Sequence, residues 1–296
     1  MDLKQLSYFV NVVDQMSFSK AAQKLHISQP SLSNAIKSLE NELGFKLLER
    51  TTRNIRLTDA GNVLYDRALH LLLEMDIVEK EMKEVKLVGS GELQIGMIES
   101  VKHWIPKVIH RYENEFPNMH ITFTEVLARD AVKKSLRTYA THFIITNQPI
   151  DEEDIETIPL YEENLVLVLH ESHPLVNNES ILLKALENEQ FIISSEGFQT
   201  REDILRAFEL EKVEPTIKFE IERFETALSL VQENLGIALM PENYLQGRQN
   251  MQVVSKIIDS TALTRTVYLT HMKNRYVSPA TQAFIDETKS FFGKSQ

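Results

Sequence analysis

The chain contains no cysteine in 296 residues. Disulfides, thiol nucleophiles and thiolate metal sites are excluded together, and a reducing compartment fits that absence. Glycine and proline are scarce, nine of each, which removes collagen-like and Pro/Gly-rich disordered classes. No apolar run reaches the roughly 18–20 residues of a membrane span. Residues 1–25 carry charge too early and too often for a secretory signal. A cytoplasmic chain with no membrane partner is therefore expected. Also missing are a P-loop, a G-x-G-x-x-G turn and a G-x-S-x-G nucleophile elbow.

The remaining candidates for chemistry are thin. His103 and His110 are read as facing similar sides of one helix, but no third ligand stands at suitable spacing. Glu152, Glu153 and Asp154, and likewise Glu162 and Glu163, read as solvated loops rather than an acid/base pair. No enzyme, metal or cofactor is expected.

Net charge is −11, which argues against nucleic acid until the chain is divided. Residues 1–61 hold eight Lys/Arg against six Asp/Glu, a balance of +2, and the remainder carries −13. Charge asymmetry between segments is the quantity that matters for a DNA binder. Alone it equally fits a small domain of mixed surface charge.

Helical spacing dominates the first 90 residues. Leu3, Leu6, Phe9, Val10 and Val13 form one apolar stripe. Ser17 caps a short helix, Phe18–Leu25. His26, Ile27 and Ser28 interrupt it, and Ser28 caps the next helix, with Pro30 in its first turn. That helix runs through Leu32, Ile36 and Leu39 to about Leu43, where Gly44 stops it. Lys46–Glu49 and Asn54–Leu57 read as a small hairpin. Thr58 caps a long helix from Asp59 to about Val88. Its apolar seam (Val63, Leu64, Ala68, Leu71, Leu72, Met75, Val78, Met82) calls for a partner helix, so a homodimer along it is expected.

Gly89-Ser90-Gly91 reads as a linker. Beyond it strands and helices alternate, which predicts an α/β domain of about 200 residues with a mostly parallel sheet and two similar lobes. The strands expected include Leu93–Ile98, His120–Val126, His142–Thr146, Leu165–Leu169, Phe191–Ile193, Thr216–Ile221, Ile237–Met240 and Arg265–His271. Helices are expected over Trp104–Phe116, Asp130–Tyr139, Ile181–Leu186, Thr200–Glu211 and Thr226–Asn234, and from Pro279 to about Phe292.

Two short helices joined by a three-to-four-residue turn form a helix-turn-helix, whose second helix enters the major groove. Gln29, Ser31, Ser33, Asn34 and Lys37 lie on its polar side. Asn and Gln can pair with adenine, and hydroxyls suit phosphates or bases. Arg50, Arg53 and Arg56 make a wing for phosphates or the minor groove. A plain three-helix bundle with a solvated polar face would show the same spacing.

The run Phe18-Ser19-Lys20-Ala21-Ala22-Gln23-Lys24-Leu25-His26-Ile27-Ser28-Gln29-Pro30-Ser31-Leu32-Ser33 resembles the signature of the LysR-type transcriptional regulators. So do Leu39–Gly44, Leu47–Arg50 and Leu57–Gly61, while Leu93–Gly96, His173–Leu175 and Gly236–Pro241 are similar in scattered pieces. The resemblance implies a winged helix-turn-helix at 1–60, a linker and dimerisation helix at 61–88 and a two-lobed, periplasmic-binding-protein-like effector domain at 91–296. It implies double-stranded DNA as partner, with contacts at Gln29, Pro30, Ser31, Ser33, Asn34, Lys37, Arg50 and Arg53. It also implies dimers that pair into homotetramers; contact with RNA polymerase is a further expectation.

Ligands in such lobes sit beyond the carboxyl ends of strands, near helix N-termini. Four turns fit: Ser100 with Val101, Asn147 with Gln148, Ser194 with Ser195, and Phe224 to Thr226. A small-molecule effector, or co-inducer, is expected there, with small organic anions as the default class. The competing reading is that Ser100, Ser194 and Thr226 merely cap helices. Three departures stand out. Asn34 occupies a position where many relatives have Arg. Tyr139, Ala140, Thr141 and His142 replace a usual Gly and Asp, and Asn234 stands where Gly is common. Rival readings are a solute-binding module with a protein-docking head, and an enzyme built on the lobes.

Overall fold

In the computed structural model of the chain, the residues described are 1–50, 55–87, 89–179, 181–247 and 252–293, with Arg50 described by its backbone alone. Arg53, Asn54 and Val88 lie outside them. The residues group into two units, Met1–Lys83 and Glu84–Gln296.

The first unit follows the apolar spacing. Helices α1 (Leu3–Gln15), α2 (Phe18–Lys24) and α3 (Gln29–Leu43) precede a hairpin of β1 (Leu48–Arg50) and β2 (Ile55–Leu57), then the 28-residue α4 (Asp59–Lys86). Phe9, Val12, Leu32, Ile36 and Leu39 are fully buried together, with Leu47 and Leu48 closing the core from the hairpin. The expected caps are present. The side chains of Ser17 and Ser28 accept the N–H groups of Lys20 and Ser31. Gly44 ends α3 in the left-handed region, φ 75°, where a side chain would be strained. Thr58 Oγ1 accepts the N–H of Gly61 at 2.9 Å.

The seam on α4 divides. Leu64, Ala68 and Leu72 pack on Leu6 and Val10 of the same chain. Val63, Leu71, Met75, Val78 and Met82 stay exposed.

In the second unit the parallel-sheet expectation needs correction. Its strands are β3 (Ser90–Met97), β4 (Asn118–Glu125), β5 (Phe143–Thr146), β6 (Ile155–His170), β7 (Gln190–Ser194), β8 (Thr216–Ile221), β9 (Ile237–Pro241), β10 (Val253–Lys256) and β11 (Thr264–Met272). They form one mixed sheet in the order β4-β3-β5-β11-β6-β9-β7-β8, with β10 also on β6. β3 runs parallel to β4 and β5, and β7 parallel to β8 and β9. β6 and β11 oppose their neighbours. The linker expectation at Gly89–Gly91 also fails in part. Ser90 and Gly91 already pair with Asn118 and Met119 as the start of β3.

The 16-residue β6 builds both lobes. Ile155–Asn164 pairs with β11, and Leu165–His170 with β9 and β10. Only its apolar second half was expected, because Pro159 and the acids before Asn164 resemble a loop. Pro159 pairs with Tyr268 beside a register shift, a place where a missing N–H is tolerated.

Helices α5 (Ile105–Tyr112), α6 (Arg129–Arg137) and α10 (Pro279–Gly293) accompany the first lobe; α7 (Gln199–Leu210), α8 (Phe224–Gln232) and the short α9 (Glu242–Leu245) the second. The first core joins Leu93, Ile95, Val108, Phe143 and Phe284. The second lobe has an apolar layer on each side of its strands. The expected helices over Ile181–Leu186 and from Trp104 shrink: Leu183–Leu186 is a 3₁₀ turn, and another, Glu99–His103, precedes α5.

Candidate functional site

Two places gather the candidate residues, one on each unit.

On the first unit, α3 separates its faces cleanly. Leu32, Ile36 and Leu39 are buried, while Gln29, Pro30, Ser31, Asn34 and Lys37 are exposed and Ser33 is half-buried. Some of these polar groups already have intramolecular partners. Ser19 Oγ donates to Gln29 Oε1 at 3.0 Å, and the hydroxyls of Ser28 and Ser31 lie 2.8 Å apart. Asn34 and Lys37 have no side-chain partner among the described residues. Such a row of donors and one free cation can hydrogen-bond base edges and neutralise a phosphate. Arg56 is exposed on β2. Of the expected wing contacts, Arg53 and the Arg50 side chain lie outside the described residues.

What holds the hairpin beneath α3 is a buried acid that spacing alone did not single out. Glu40 is 4% exposed. Its Oε1 accepts the N–H groups of Leu47 at 2.9 Å and Leu48 at 3.3 Å, and its Oε2 takes the ammonium of Lys46 at 3.2 Å. Burial pushes the Glu40 carboxyl up, but these donors together outweigh it, and the group sits below the ordinary Glu value.

In the second unit, a cleft lies where β6 passes between the lobes. Its walls include Glu99, Asn147, Ser194, Phe198, Phe224 and Arg265. The open volume is about 350 Å³ counted to its mouth, and about 20 Å³ of that can hold the centre of a water molecule. That is room for about one water.

Arg265 of the lining belongs to a buried ion pair. Arg265 Nε and Nη2 donate to one oxygen of Glu163 at 2.9 and 2.6 Å, and Nη1 donates to Thr200 Oγ1 at 2.7 Å. Ser100 Oγ donates to the same Glu163 oxygen at 3.0 Å, and Asn243 Nδ2 to the other at 3.0 Å. Glu163 is therefore no part of a solvated loop; it is 1% exposed. Beside it, Glu99 Oε2 accepts the N–H of Phe224 at the start of α8, at 3.0 Å. Burial pushes the Tyr161 hydroxyl well above its usual range, with the Glu163 charge adding to it.

The structure brings some expected cleft residues together and separates others. Asn147, Ser194 and Phe224 line the cleft. Ser100 lies behind its wall, committed to Glu163. Gln148 is buried, with Nε2 donating to Leu127 O at 3.1 Å. Val101 is fully buried in the first-lobe core and faces no cleft. Ser195 gives its N–H to Ile221 O. Thr226 is exposed and outside the lining. The capping reading fails for Thr226 as well, since the N-cap position of α8 is Arg223 and the side chain that takes its first N–H is that of Glu99. Glu99, Thr200, Glu163 and Arg265 were missed. They are charged or hydroxylic residues on elements whose polar members looked solvent-facing, and only pairing across a long chain separation identifies them.

The two histidines are not one helix face. His103 ends the 3₁₀ turn with Nδ1 2.9 Å from Asn243 O, whereas His110 belongs to α5. Burial, then Lys107, lowers the His103 pKa.

Asn234 adopts φ 53°, so it supplies the left-handed turn after α8 for which Gly is usual. Tyr139 is also left-handed, φ 57°, and its hydroxyl bonds Glu84, which also takes His142 Nε2 at 2.8 Å. No helix among the described residues is long and apolar enough to cross a membrane.

Residues 3–62 match the profile of the bacterial regulatory helix-turn-helix protein, lysR family, and residues 88–293 that of the LysR substrate binding domain. The chain is 33% identical to the HTH-type transcriptional regulator BenM of Acinetobacter baylyi (strain ATCC 33305 / BD413 / ADP1), over 81% of this chain and 80% of that one. The crystal structure of full-length BenM covers 100% of this chain and 98% of its own, at 27% identity and TM-score 0.62. The effector binding domain of QuiR in complex with shikimate covers 69% of this chain and 98% of its own, at 26% identity and TM-score 0.64.

Proposed function

Because this chain belongs to the LysR family of bacterial transcription regulators, and is a DNA-binding regulator with a small-molecule effector domain rather than an enzyme, we propose how its own residues divide that work. The winged helix-turn-helix is residues 1–60, the linker helix 61–88 and the effector domain 91–296. Asn34 and Lys37, with Gln29, Pro30, Ser31 and Ser33, meet the major groove from α3, and Arg50 and Arg53 hold the backbone from the wing. The observation that carries this is the division of α3 into a wholly buried apolar face and an exposed polar one.

The exposed half of the α4 seam pairs with a second copy, and dimers pair again into homotetramers. The chain works in the cytoplasm, away from membranes. The effector enters the cleft lined by Asn147, Ser194 and Phe224 and shifts the lobes, which changes how the assembled heads space their sites. Smooth bending of a site costs of order 1–6 kcal/mol, enough for such a shift to alter occupancy or contact with RNA polymerase.

The test is binding to the DNA upstream of the chain's own gene across a salt series, with wild type and an Asn34→Ala, Lys37→Ala double variant. Tight binding that weakens steeply with salt and collapses in the variant supports the assignment. Undiminished binding by a folded variant overturns it.

A further inference from the structure

The cleft has the wrong electrostatics for the anion that a cleft rich in helix N-termini invites. Three donors would ordinarily hold a carboxylate there: the first N–H groups of α8, the Ser100 hydroxyl and the Arg265 guanidinium. Each is already engaged, wholly or in part, within the protein. Glu99 occupies the start of α8 through the Phe224 N–H, at 3.0 Å. Ser100 donates to Glu163. Arg265 directs four of its five N–H groups to Glu163, Thr200 and Ser100. The Arg265 charge is cancelled by Glu163, which leaves Glu99 and the rim residue Glu222 as uncompensated charges of the lining. Lys102 and Arg223, the nearby cations in sequence, both pair with Glu125 instead.

The lining also holds unfinished valences. Glu99 is 5% exposed, and it makes no second hydrogen bond among the described residues. Asn147 is 6% exposed, and its Nδ2 has no partner; nor does Gln199 Oε1. Buried polar atoms rarely stay unpaired, so the Asn147 and Gln199 amide atoms mark where a ligand's polar groups would complete the network. Phe198 and Phe224 are the aromatic residues of the lining, and an aromatic ring beside a carboxylate is a setting that attracts ammonium.

We propose that the effector is a small organic cation, an amine or guanidine bearing one neutral hydrogen-bonding group. Its charged nitrogen sits on Glu99 between Phe198 and Phe224, and its neutral group meets the Asn147 and Gln199 amides. This inference rests on the cleft being the effector site. It replaces the organic-anion expectation for that site. A carboxylate brought beside the buried Glu99 would meet like charge where little water screens it.

The test uses the full chain and probes matched in shape but not in charge: an amine, an amide and a carboxylate on each of a phenyl, a cyclohexyl and a straight four-carbon body. Binding is read by calorimetry and thermal shift for wild type, Glu99→Gln and Phe198→Leu. Gln retains the acceptor for the Phe224 N–H, and Leu retains apolar bulk, so one variant backs the other if folding suffers. The expected result is an amine preference over the matched carboxylate of about tenfold or more, lost in Glu99→Gln and weakened in Phe198→Leu. A carboxylate preference in wild type that Asn147→Ala abolishes overturns the cation assignment and leaves the cleft as the effector site. An amine preference that survives in Glu99→Gln overturns the role of Glu99. No binding by any probe of either charge overturns the assignment together with the cleft reading.

Discussion

Arg265 and Glu163 face each other in the core of the effector domain with two guanidinium nitrogens on one carboxylate oxygen, at 2.6 and 2.9 Å, and both side chains are nearly inaccessible to water. They stand on β11 and β6, the strands that run from one lobe toward the other. Their pairing therefore ties the strand register at the crossover to the shape of the cleft. Removing one partner leaves a buried charge uncompensated. Arg265→Met should lower stability by about 3–5 kcal/mol, read from denaturant unfolding of the full chain. Arg265→Met with Glu163→Leu should recover much of that loss, since a packed apolar pair avoids the desolvation cost. Equal losses in the single and double variants would contradict this account.

Glu40 gives the helix-turn-helix an acid sensitivity with a definite sign. Its folded pKa is lowered, so the stability it contributes is complete above the ordinary Glu value of 4.5 and is lost as pH falls through the lower folded value. Protection factors of the Leu47 and Leu48 amides, with exchange corrected for its intrinsic pH dependence, should fall in that acid window, and Glu40→Gln should flatten the dependence. Glu40→Ala strands two buried donors and should cost about 1–3 kcal/mol for each.

Gly61 lies where α4 passes under the hairpin. A Cβ there would come within 2.1 Å of Leu47 O, a backbone atom that cannot swing aside. Gly61→Ala should destabilise the head by about 1–3 kcal/mol and weaken DNA binding in proportion to the unfolded fraction. A wild-type melting temperature in that variant would contradict the close approach.

The exposed half of α4 predicts a separate phenotype. Met75→Glu with Val78→Glu should dissociate the dimer in analytical ultracentrifugation while leaving the monomer folded, because neither side chain belongs to a core of its own chain. Retained dimers would move the interface elsewhere.

Lys37→Ala tests the head at single-contact resolution. It should weaken binding about uniformly across sequences and reduce the salt slope by about 1. Asn34→Ala should instead relax discrimination at one position. Swapped phenotypes would reverse the assigned roles.

Much of this could be read from residue order, for reasons that differ along the chain. Caps, turn glycines and the 3.6-residue stripe are local, so the three head helices, their boundaries and the polar side of α3 were legible with Ser17, Ser28 and Gly44. The strand cores from Leu93 to Ile237 were legible as apolar runs. The half of β6 from Ile155 to Asn164 was not, because its acids and Pro159 belong to a strand whose partner, β11, follows about a hundred residues later. Val101 and Thr226 were misplaced because adjacency to a turn says nothing about which way a side chain points.

The sequence by itself determined the family, the helix-turn-helix and the alternation of elements, since each depends on spacing within a few residues. Only the tertiary structure decided which charges are satisfied. Glu163 found Arg265, Glu40 found the hairpin amides, and Glu99 found the start of α8. A buried charge is tolerated only by partners that folding brings to it, and for Glu163 and Glu99 those partners stand more than a hundred residues away. The polarity of the cleft is therefore a property of the fold rather than of any motif.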